Sequence, residues 1–571
     1  MDFKVLADFF LKLEKTASRN EITIILSELL KKSSQDEVDK VCYLSLGRLL
    51  PDYKGLEFNM AERLMFKAVA KAFRKEEEGV KDLFKQIGDL GEVVFSLKKN
   101  NGNGRLSVNK VYDLLYEIAK EGGQGSVERK INKTADLLFN LDPLSAKYVS
   151  RIPLGRLRLG FSELTILDAL SWMLKEDKSQ RKFIESVYNV RADIGQIAKI
   201  IKDKGSKGLK DLKVQLGVPV ISALCQRLPN AEEMIKKMGK VAVEPKYDGT
   251  RLQVHKKGQE VNMFTRNLEN VTEMFPDINK GIREEIKTKS VILDGEAIGF
   301  DYKTGKFLPF QETIKRKRKY GVDEKTKEIP LKYFVFDILY KDGKDLLNLP
   351  FNKRREMLEK LVKNDNKVVC LSPQIVTQSP DELKKFHKEQ IEKGLEGVVI
   401  KKWEAPYDSG RRGYTWVKFK QEKGKKGGGL ADTLDCVVMG YYKGKGRRAS
   451  FGIGGFLVGV KEKQTNDQIL TVSKIGTGLS DDQWREMRKR CDEVKIGGKP
   501  KQYKIDKNLN PDLWCLPKIV VEIEADNITK SPIHTAGLAL RFPRLVRFRD
   551  DKSSSQTSNL KEVQKLFDLQ K

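Results

Sequence analysis

Through the first third of the chain, apolar residues recur three and four positions apart: EITIILSELLKK from Glu21, DEVDKVCYLSLGRLL from Asp36, VNKVYDLLYEIAKE from Val108 and FSELTILDALSWMLKE from Phe161. That spacing gives a helix one apolar face, so it predicts an all-α domain over residues 1–216. KKNNGNGRLS, from Lys98, breaks the pattern with glycine, asparagine and charge, as an exposed loop does. From Val241 the period changes. VAVEPK, RLQVHKKGQEVNMFTR, VILDGEAIGF, LKYFVFDILY, EGVVIKK and TWVKFK are short β-rich runs divided by Asp-Gly and Lys-Gly turns. They predict an antiparallel-rich α+β domain over 217–422. QEKGKKGGGLADT, from Gln421, has the composition of a flexible linker. Beyond it, DCVVMGYY, FGIGGFLVGV, QILTVSKIG, KIVVEIEA and LVRFRD predict a five-stranded barrel over 423–571, with one helix near Ser480 and a closing helix in LKEVQKLFDL.

Composition narrows the partners. In 571 residues, 109 Lys+Arg against 80 Asp+Glu leave a formal charge of +29. Such an excess favours a polyanion, nucleic acid before acidic membrane, over a basic surface kept only for solubility. The six cysteines form no CxxC pair and the three histidines lie far apart, so neither a disulfide framework, a cysteine-rich zinc site nor histidine chemistry is suggested. No apolar run reaches membrane length, and an intracellular protein is expected.

EPKYDGTRLQVHKKG, from Glu244, places Lys246 before an Asp-Gly pair. To act as a nucleophile the amine must lose its proton near neutral pH, and neighbouring positive charge from Arg251 or a divalent cation would promote that. Alone, Lys-x-Asp-Gly is a weak signal. In WVKFK, Lys418 and Lys420 share a strand face and could grip successive phosphates, or could simply be solvated. Glu296 and Glu396 are acidic islands on apolar strands. They suit Mg²⁺, or a cross-strand ion pair with lysine.

Taken in order, EPKYDGTR, Arg266 in FTRNLENVTEMFP, Glu296 in ILDGEAIGF, Phe336 in YFVFDIL, Glu396 and Lys401 in EGVVIKK, Trp416, Lys418 and Lys420 in WVKFK, and the late RFPRLVRFRDDK resemble the covalent lysyl-nucleotide transferases. RIPLGRLRLGFSELTILDAL looks like the DNA-binding domain of ATP-dependent DNA ligases of the archaeal and eukaryotic replicative type, so the resemblance spans essentially the whole chain. It implies a helical DNA-binding domain, an adenylation domain and a C-terminal OB-fold. The implied activity seals nicks in duplex DNA in replication, repair and recombination, through a lysyl-AMP intermediate, AMP transfer to a 5′-phosphate and attack by a 3′-hydroxyl.

By that resemblance Lys246 is the nucleophile, Glu244 and Phe336 recognise and stack on adenine, and Arg251 and Arg266 hold ribose or phosphate. Glu296, Lys401, Trp416, Lys418 and Lys420 complete the nucleotide site. Arg549, Asp551 and Lys552 close over ATP and then leave. ATP and Mg²⁺ are the implied cofactors, with Mn²⁺ as a substitute, and Glu296 and Glu396 the metal ligands. Phe310 and Phe542 are aromatic candidates for pressing on the nick, against the alternative of ordinary core packing. Arg316 and Arg318 of the basic run KRKRK, otherwise a solvated loop, are their supporting cations. Nicked duplex DNA is the expected partner of a monomer in a prokaryotic cytoplasm. The glutamine-plus-paired-aromatic segment that many relatives use to bind a sliding clamp is missing from SLKKNNGNGRLS. RNA joining is the alternative activity; a capping guanylyltransferase, an NAD-dependent ligase and a non-catalytic nucleic-acid-binding protein fit less of the pattern.

Overall fold

The computed structural model describes residues 1–571 apart from 17, 99–104, 319–320, 411–412, 421–429, 431, 445–447, 449–450, 465 and 570–571. Residues 421–429 and 431 of the linker expected at 421–433, the middle of the loop expected after Lys98, and Lys319 therefore lie outside the described residues. The chain divides into two compact units, Met1–Phe419 and Lys420–Lys571.

Among the described residues, twelve α-helices run from Phe3–Lys15 to Ile194–Lys204, and four of them, Arg19–Lys32, Val38–Ser45, Val108–Lys120 and Glu163–Lys175, fall in the stretches whose apolar spacing predicts a helix. Short polar side chains fix several starts. Ser18 accepts from the Glu21 amide, Ser107 from Lys110, and Asp142 from Leu144 and Ser145, with Pro143 opening that helix. Each such cap satisfies a backbone N–H that has no partner within the helix and contributes about 1 kcal/mol. The apolar faces merge into one core that extends from Phe3 to Leu209.

Twelve strands follow among the described residues: β1 (Gln226–Arg227), β2 (Val241–Pro245), β3 (Thr250–Lys257), β4 (Glu260–Thr265), β5 (Ser290–Asp301), β6 (Lys306–Phe307), β7 (Leu331–Lys341), β8 (Lys344–Asp345), β9 (Val369–Leu371), β10 (Ile375–Thr377), β11 (Gly397–Lys402) and β12 (Trp416–Lys420). They build two mostly antiparallel sheets, ordered β1-β12-β11-β2-β10 and β4-β3-β5-β7-β8, the second with β6 on β5 and β9 on β7. Strand alternation sends Val241, Val243, Val398, Ile400, Val417 and Phe419 to one side of the first sheet, where they form a core with the helix Ala231–Met238. On the second sheet, Leu252, Val254, Leu293, Tyr333 and Val335 pack with the helix Pro276–Glu285. The remaining faces meet: Trp416 and Val399 from the first sheet share an apolar seam with Ile292, Phe336 and Leu339 from the second.

The segment joining helices to sheets is stitched along β3. Arg251, Gln253 and His255, two residues apart and so on one face, bond respectively to the Ala223 carbonyl (2.8 Å), to the Val220 amide and carbonyl (2.8 and 3.0 Å), and to the Gly217 amide (3.0 Å).

In the second unit the five expected strands are present as β13 (Leu434–Tyr442), β14 (Gly455–Lys461), β15 (Ile469–Ile475), β19 (Val520–Glu524) and β22 (Arg544–Phe548), hydrogen-bonded in the order β15-β14-β13-β19-β22. Short strands β16 (Lys495–Ile496), β17 (Tyr503–Lys504) and β18 (Leu513–Cys515) widen this sheet, and β20 (Asn527–Lys530) pairs with β21 (Leu538–Arg541). The helix Asp481–Glu493 starts at Ser480 with a reciprocal capping box to Gln483, and the chain closes with the helix Leu560–Asp568. No helix among the described residues is long and apolar enough to cross a membrane.

Candidate active site between two sheets

Lys246 stands immediately after β2. Its backbone is pinned by its own N–H to the Gly397 carbonyl (2.9 Å) and by the Glu396 N–H to its carbonyl (3.2 Å), which brings the start of β11 alongside. Gly249 is required here by crowding rather than by a left-handed turn: a Cβ would meet the Ala297 carbonyl oxygen at 2.3 Å and Glu296 Cγ at 3.0 Å. The Asp-Gly pair thus lets the Lys246 loop lie against β5.

The Lys246 ammonium donates to Glu396. Burial works to lower its pKa, but Glu396, aided by Glu296 and Asp248, outweighs it and the net direction is upward. This corrects the expectation that Arg251 lowers the lysine's pKa. The Arg251 guanidinium is engaged elsewhere, forking onto Asp294 (Nε–Oδ1 3.0 Å, Nη2–Oδ2 2.7 Å), whose Oδ2 also accepts from the Tyr407 hydroxyl at 2.7 Å. Burial opposes the Arg251 charge and Asp294 more than offsets it.

Glu296 is half-buried, and none of the described residues donates a hydrogen bond to it. Burial pushes its carboxyl up to about 7, with Lys246 and Arg251 opposing. A carboxyl with spare acceptor capacity, near a second carboxylate at Glu396, fits a divalent cation that keeps water and phosphate oxygens in its remaining positions. Among the described residues no group of three or more His, Cys, Asp or Glu gathers, so the protein would supply only these two ligands here.

Deeper in the cleft, Glu244 is 2% exposed. Its Oε2 accepts from Lys401 Nζ at 2.8 Å, while its Oε1 has no hydrogen-bond partner among the described residues and lies 3.7 Å from Arg355 Nη1. Lys401 also donates to the Phe336 carbonyl at 2.7 Å. The Lys401 amine, expected to contact nucleotide, thus bonds to Glu244 and to the backbone of β7. Phe336 and Trp416, from opposite sheets, meet edge to face at 5.8 Å, and the Arg251 guanidinium lies 5.4 Å from each ring. Lys418 and Lys420 share the half-buried face of β12 with Trp416, as strand alternation predicts. Arg266 is exposed in the turn after β4.

The chain matches three family profiles: DNA ligase N terminus over residues 2–171, ATP dependent DNA ligase domain over 222–420, and ATP dependent DNA ligase C terminal region over 449–552. It is 43% identical to a probable DNA ligase of Dictyoglomus turgidum over 100% of this chain and 98% of that one. The chain belongs to the ATP-dependent DNA ligases. A DNA ligase of Sulfurisphaera tokodaii is 39% identical over the same shares, 100% and 98%. A solved structure named Pmar-Lig_PreS3 matches 95% of this ligase and 99% of its own chain with a TM-score of 0.56 at 18% identity, which supports the fold. The ligase forms phosphodiester bonds, sealing nicks with ATP and a divalent metal.

Within the second unit of the ligase, Arg549 forks onto Asp551 (2.8 and 2.7 Å) and also binds Asp435 (2.9 Å), which accepts from Lys552 at 2.6 Å. Arg549 thus bridges Asp551 and Asp435, and Lys552 shares Asp435 with it. Phe542, between β21 and β22, is 55% exposed with φ +53°, a left-handed backbone that costs a non-glycine residue energy. Phe310 is half-buried at the start of the short helix Phe310–Thr313.

Arg318 is exposed, but Arg316 requires a correction. It was expected to face DNA; instead it is fully buried, forking onto Asp277 (2.8 and 3.0 Å) and donating to the Ile329 carbonyl at 2.7 Å. A one-turn helix at Ile314–Arg316 points it inward, and the two carboxylate oxygens compensate its charge. Sequence reasoning missed Asp294, Tyr407 and Arg355. Asp294 carried a signal, standing two residues before Glu296 on the same strand. Arg355, inside KRRE on a charged helix, looked like a solvated face.

Proposed function

We propose that this ligase works through Lys246 as the nucleophile that carries AMP. What supports the reading is the position of its amine, bonded to Glu396 and under the charge of Glu296 from the second sheet. Lys246 gives up its proton, for which Glu396 is the acceptor already in contact. Nζ then attacks the α-phosphorus of ATP; an N–P bond forms and the bond to the pyrophosphate oxygen breaks. An oxygen of the DNA 5′-phosphate next attacks that phosphorus, and the N–P bond breaks, returning the amine. Finally the 3′-hydroxyl oxygen attacks the 5′-phosphorus, AMP leaves with the electron pair, and the hydroxyl proton passes to solvent.

Each step gathers negative charge on non-bridging oxygens, so fixed cations carry much of the catalysis. In this reading Lys418 and Lys420 serve the phosphates, Glu244 the adenine amine and Phe336 the ring face. A divalent cation held by Glu296 and Glu396 would neutralise charge at the reacting phosphate. In the second unit, Arg549, Asp551 and Lys552 serve the first step and Phe542 serves the DNA, as does Arg318 of the first unit. Three working parts, 1–216, 217–422 and 423–571, follow from this assignment. The six cysteines, free as a reducing compartment would keep them, suit an intracellular setting.

The test is label transfer from α-labelled ATP to protein, followed by sealing of nicked DNA. The wild type is expected to do both, and Lys246→Ala neither. Uptake undiminished in Lys246→Ala would assign the nucleophile to another residue.

A further inference from the structure

The orphaned oxygen of Glu244 leads beyond the nucleotide site to the helix Phe351–Leu361. A buried carboxylate oxygen without a donor is costly and persists where a ligand supplies one. What holds that oxygen free is a pair of cations from two different elements. Lys401, on β11, takes Oε2 and leaves Oε1 to face Arg355 across 3.7 Å, too far for a hydrogen bond and close enough for attraction. Arg355 is itself 5% exposed and anchored at both ends of its guanidinium, by the Ser372 carbonyl at 2.9 Å and by Glu359 at 2.7 Å. It therefore cannot swing in to consume Oε1.

We propose that Arg355 is a specificity-positioning residue: held off by Ser372 and Glu359, it faces Glu244 without taking Oε1, which is left as a vacant acceptor, so that the pocket selects a purine bearing a 6-amino group. Four groups bear on Glu244: Lys401 from β11, Arg355 from the helix, Asp337 from β7, itself forked onto Arg354 (2.7 and 3.0 Å), and Tyr247 just beyond β2. Burial drives the Glu244 carboxyl upward and Asp337 adds to the rise, while Lys401 and then Arg355 oppose it without cancelling it, so the net direction is upward. Losing Arg355 removes one of the two opposing cations and so favours the protonated acid, whose O–H, directed at the base, meets the amine with a donor in place of an acceptor.

The proposal rests on Glu244 reading the base, and the experiment separates the two. Self-adenylation is measured with ATP and with purine riboside triphosphate, which lacks the 6-amino group, for wild type, Arg355→Met, Arg355→Lys and Glu244→Gln. Folding of each is checked by thermal melting. A hydrogen bond to a charged acceptor sets the wild-type preference in kcat/KM at roughly tenfold to a hundredfold for ATP. In Arg355→Met the preference is expected to collapse toward one near pH 7 and to recover as pH rises and Glu244 ionises. Arg355→Lys is expected to restore most of it. A merely structural arginine would lower both nucleotides' kcat/KM alike and leave the ratio independent of pH, and that result would overturn the proposal. If Arg355→Met melts too early to assay, the same distinction is read from Arg355→Gln, which keeps a hydrogen-bond donor and loses the charge: a preference that falls near pH 7 and recovers at higher pH supports the proposal, and a ratio independent of pH overturns it. A full preference kept by Glu244→Gln would instead remove the underlying reading of Glu244.

Discussion

Lys246 shows how far a motif reaches and where it stops. The residue could be picked out of EPKYDGTR, but its protonation could not, because the carboxylate that decides it comes from Glu396, 150 residues away. In the nucleotide-free protein this pairing holds the amine charged and unreactive. Glu396→Gln removes the anion and leaves burial, so the Lys246 pKa should fall; each unit of fall exposes about ten times more free amine. Acylation by an amine reagent at mildly alkaline pH, followed by peptide mapping, should then show Lys246 labelling on the order of tenfold faster than in the wild type. Equal labelling would mean that Glu396 does not control the proton. Arg316 illustrates the opposite error. In a run of five basic residues nothing in the sequence says which one turns inward, because Asp277 and the Ile329 carbonyl, its partners, are assembled only by the fold. Arg316→Ala should cost about 3–5 kcal/mol, since Asp277 loses its fork. Arg318→Ala, at an exposed position, should cost about 0.5 kcal/mol or less. Urea midpoints at constant m-value distinguish the two.

Elements were more legible than their contacts. Helix positions followed from the apolar period and their starts from serine and aspartate caps, both local properties. Strands β2, β3, β5, β7, β11 and β12 were all visible as β-rich runs, whereas their division into two sheets was not, because pairing β11 with β2 and β12 with β1 depends on residues far apart. The stitching of β3 to the preceding segment belongs to this second class. RLQVH places Arg251, Gln253 and His255 on one face, but only the fold shows that face covered. His255 has a consequence there. Its Nδ1 accepts from Gly217, which fixes the neutral tautomer with Nε2–H directed to Gln253 Oε1 at 2.9 Å. Burial pulls its pKa from 6.5 down to about 3. The unfolded chain takes up this proton below pH 6.5 while the folded chain refuses it until about 3. The stabilising contribution is therefore complete above 6.5 and declines as pH falls toward 3, by up to about 1.4 kcal/mol per pH unit. His255→Gln, which cannot titrate, should flatten the stability profile across that window, measured as unfolding free energy against pH. An unchanged slope would place the acid sensitivity elsewhere.

For the whole molecule, charge was the most legible property and its purpose the least local. A formal +29 carries no information on sequence recognition, yet it dictates how the ligase should hold DNA: through phosphates, with affinity that falls as salt rises. Two exposed residues let the phosphate-directed and wedge-like parts of that grip be told apart. Arg318 offers a cation to solvent. Phe542 offers a ring, 55% exposed on a left-handed backbone, with the Arg541 guanidinium 5.2 Å from its centre. Neutralising one phosphate contributes about −0.9 to the slope of log K against log salt, so Arg318→Ala should make the slope for nicked duplex shallower by about that amount. Phe542→Ala removes no charge. It should weaken binding to nicked duplex by a factor that stays constant across salt, because an apolar wedge acts on base stacking and not on counterions. The measurement is a titration of labelled nicked DNA at four or more salt concentrations. If Phe542→Ala changed the slope and not the intercept, the ring would be serving to place Arg541 on a phosphate. If neither variant changed either quantity, these two positions would lie off the DNA path and the grip would have to be sought among the remaining lysines and arginines.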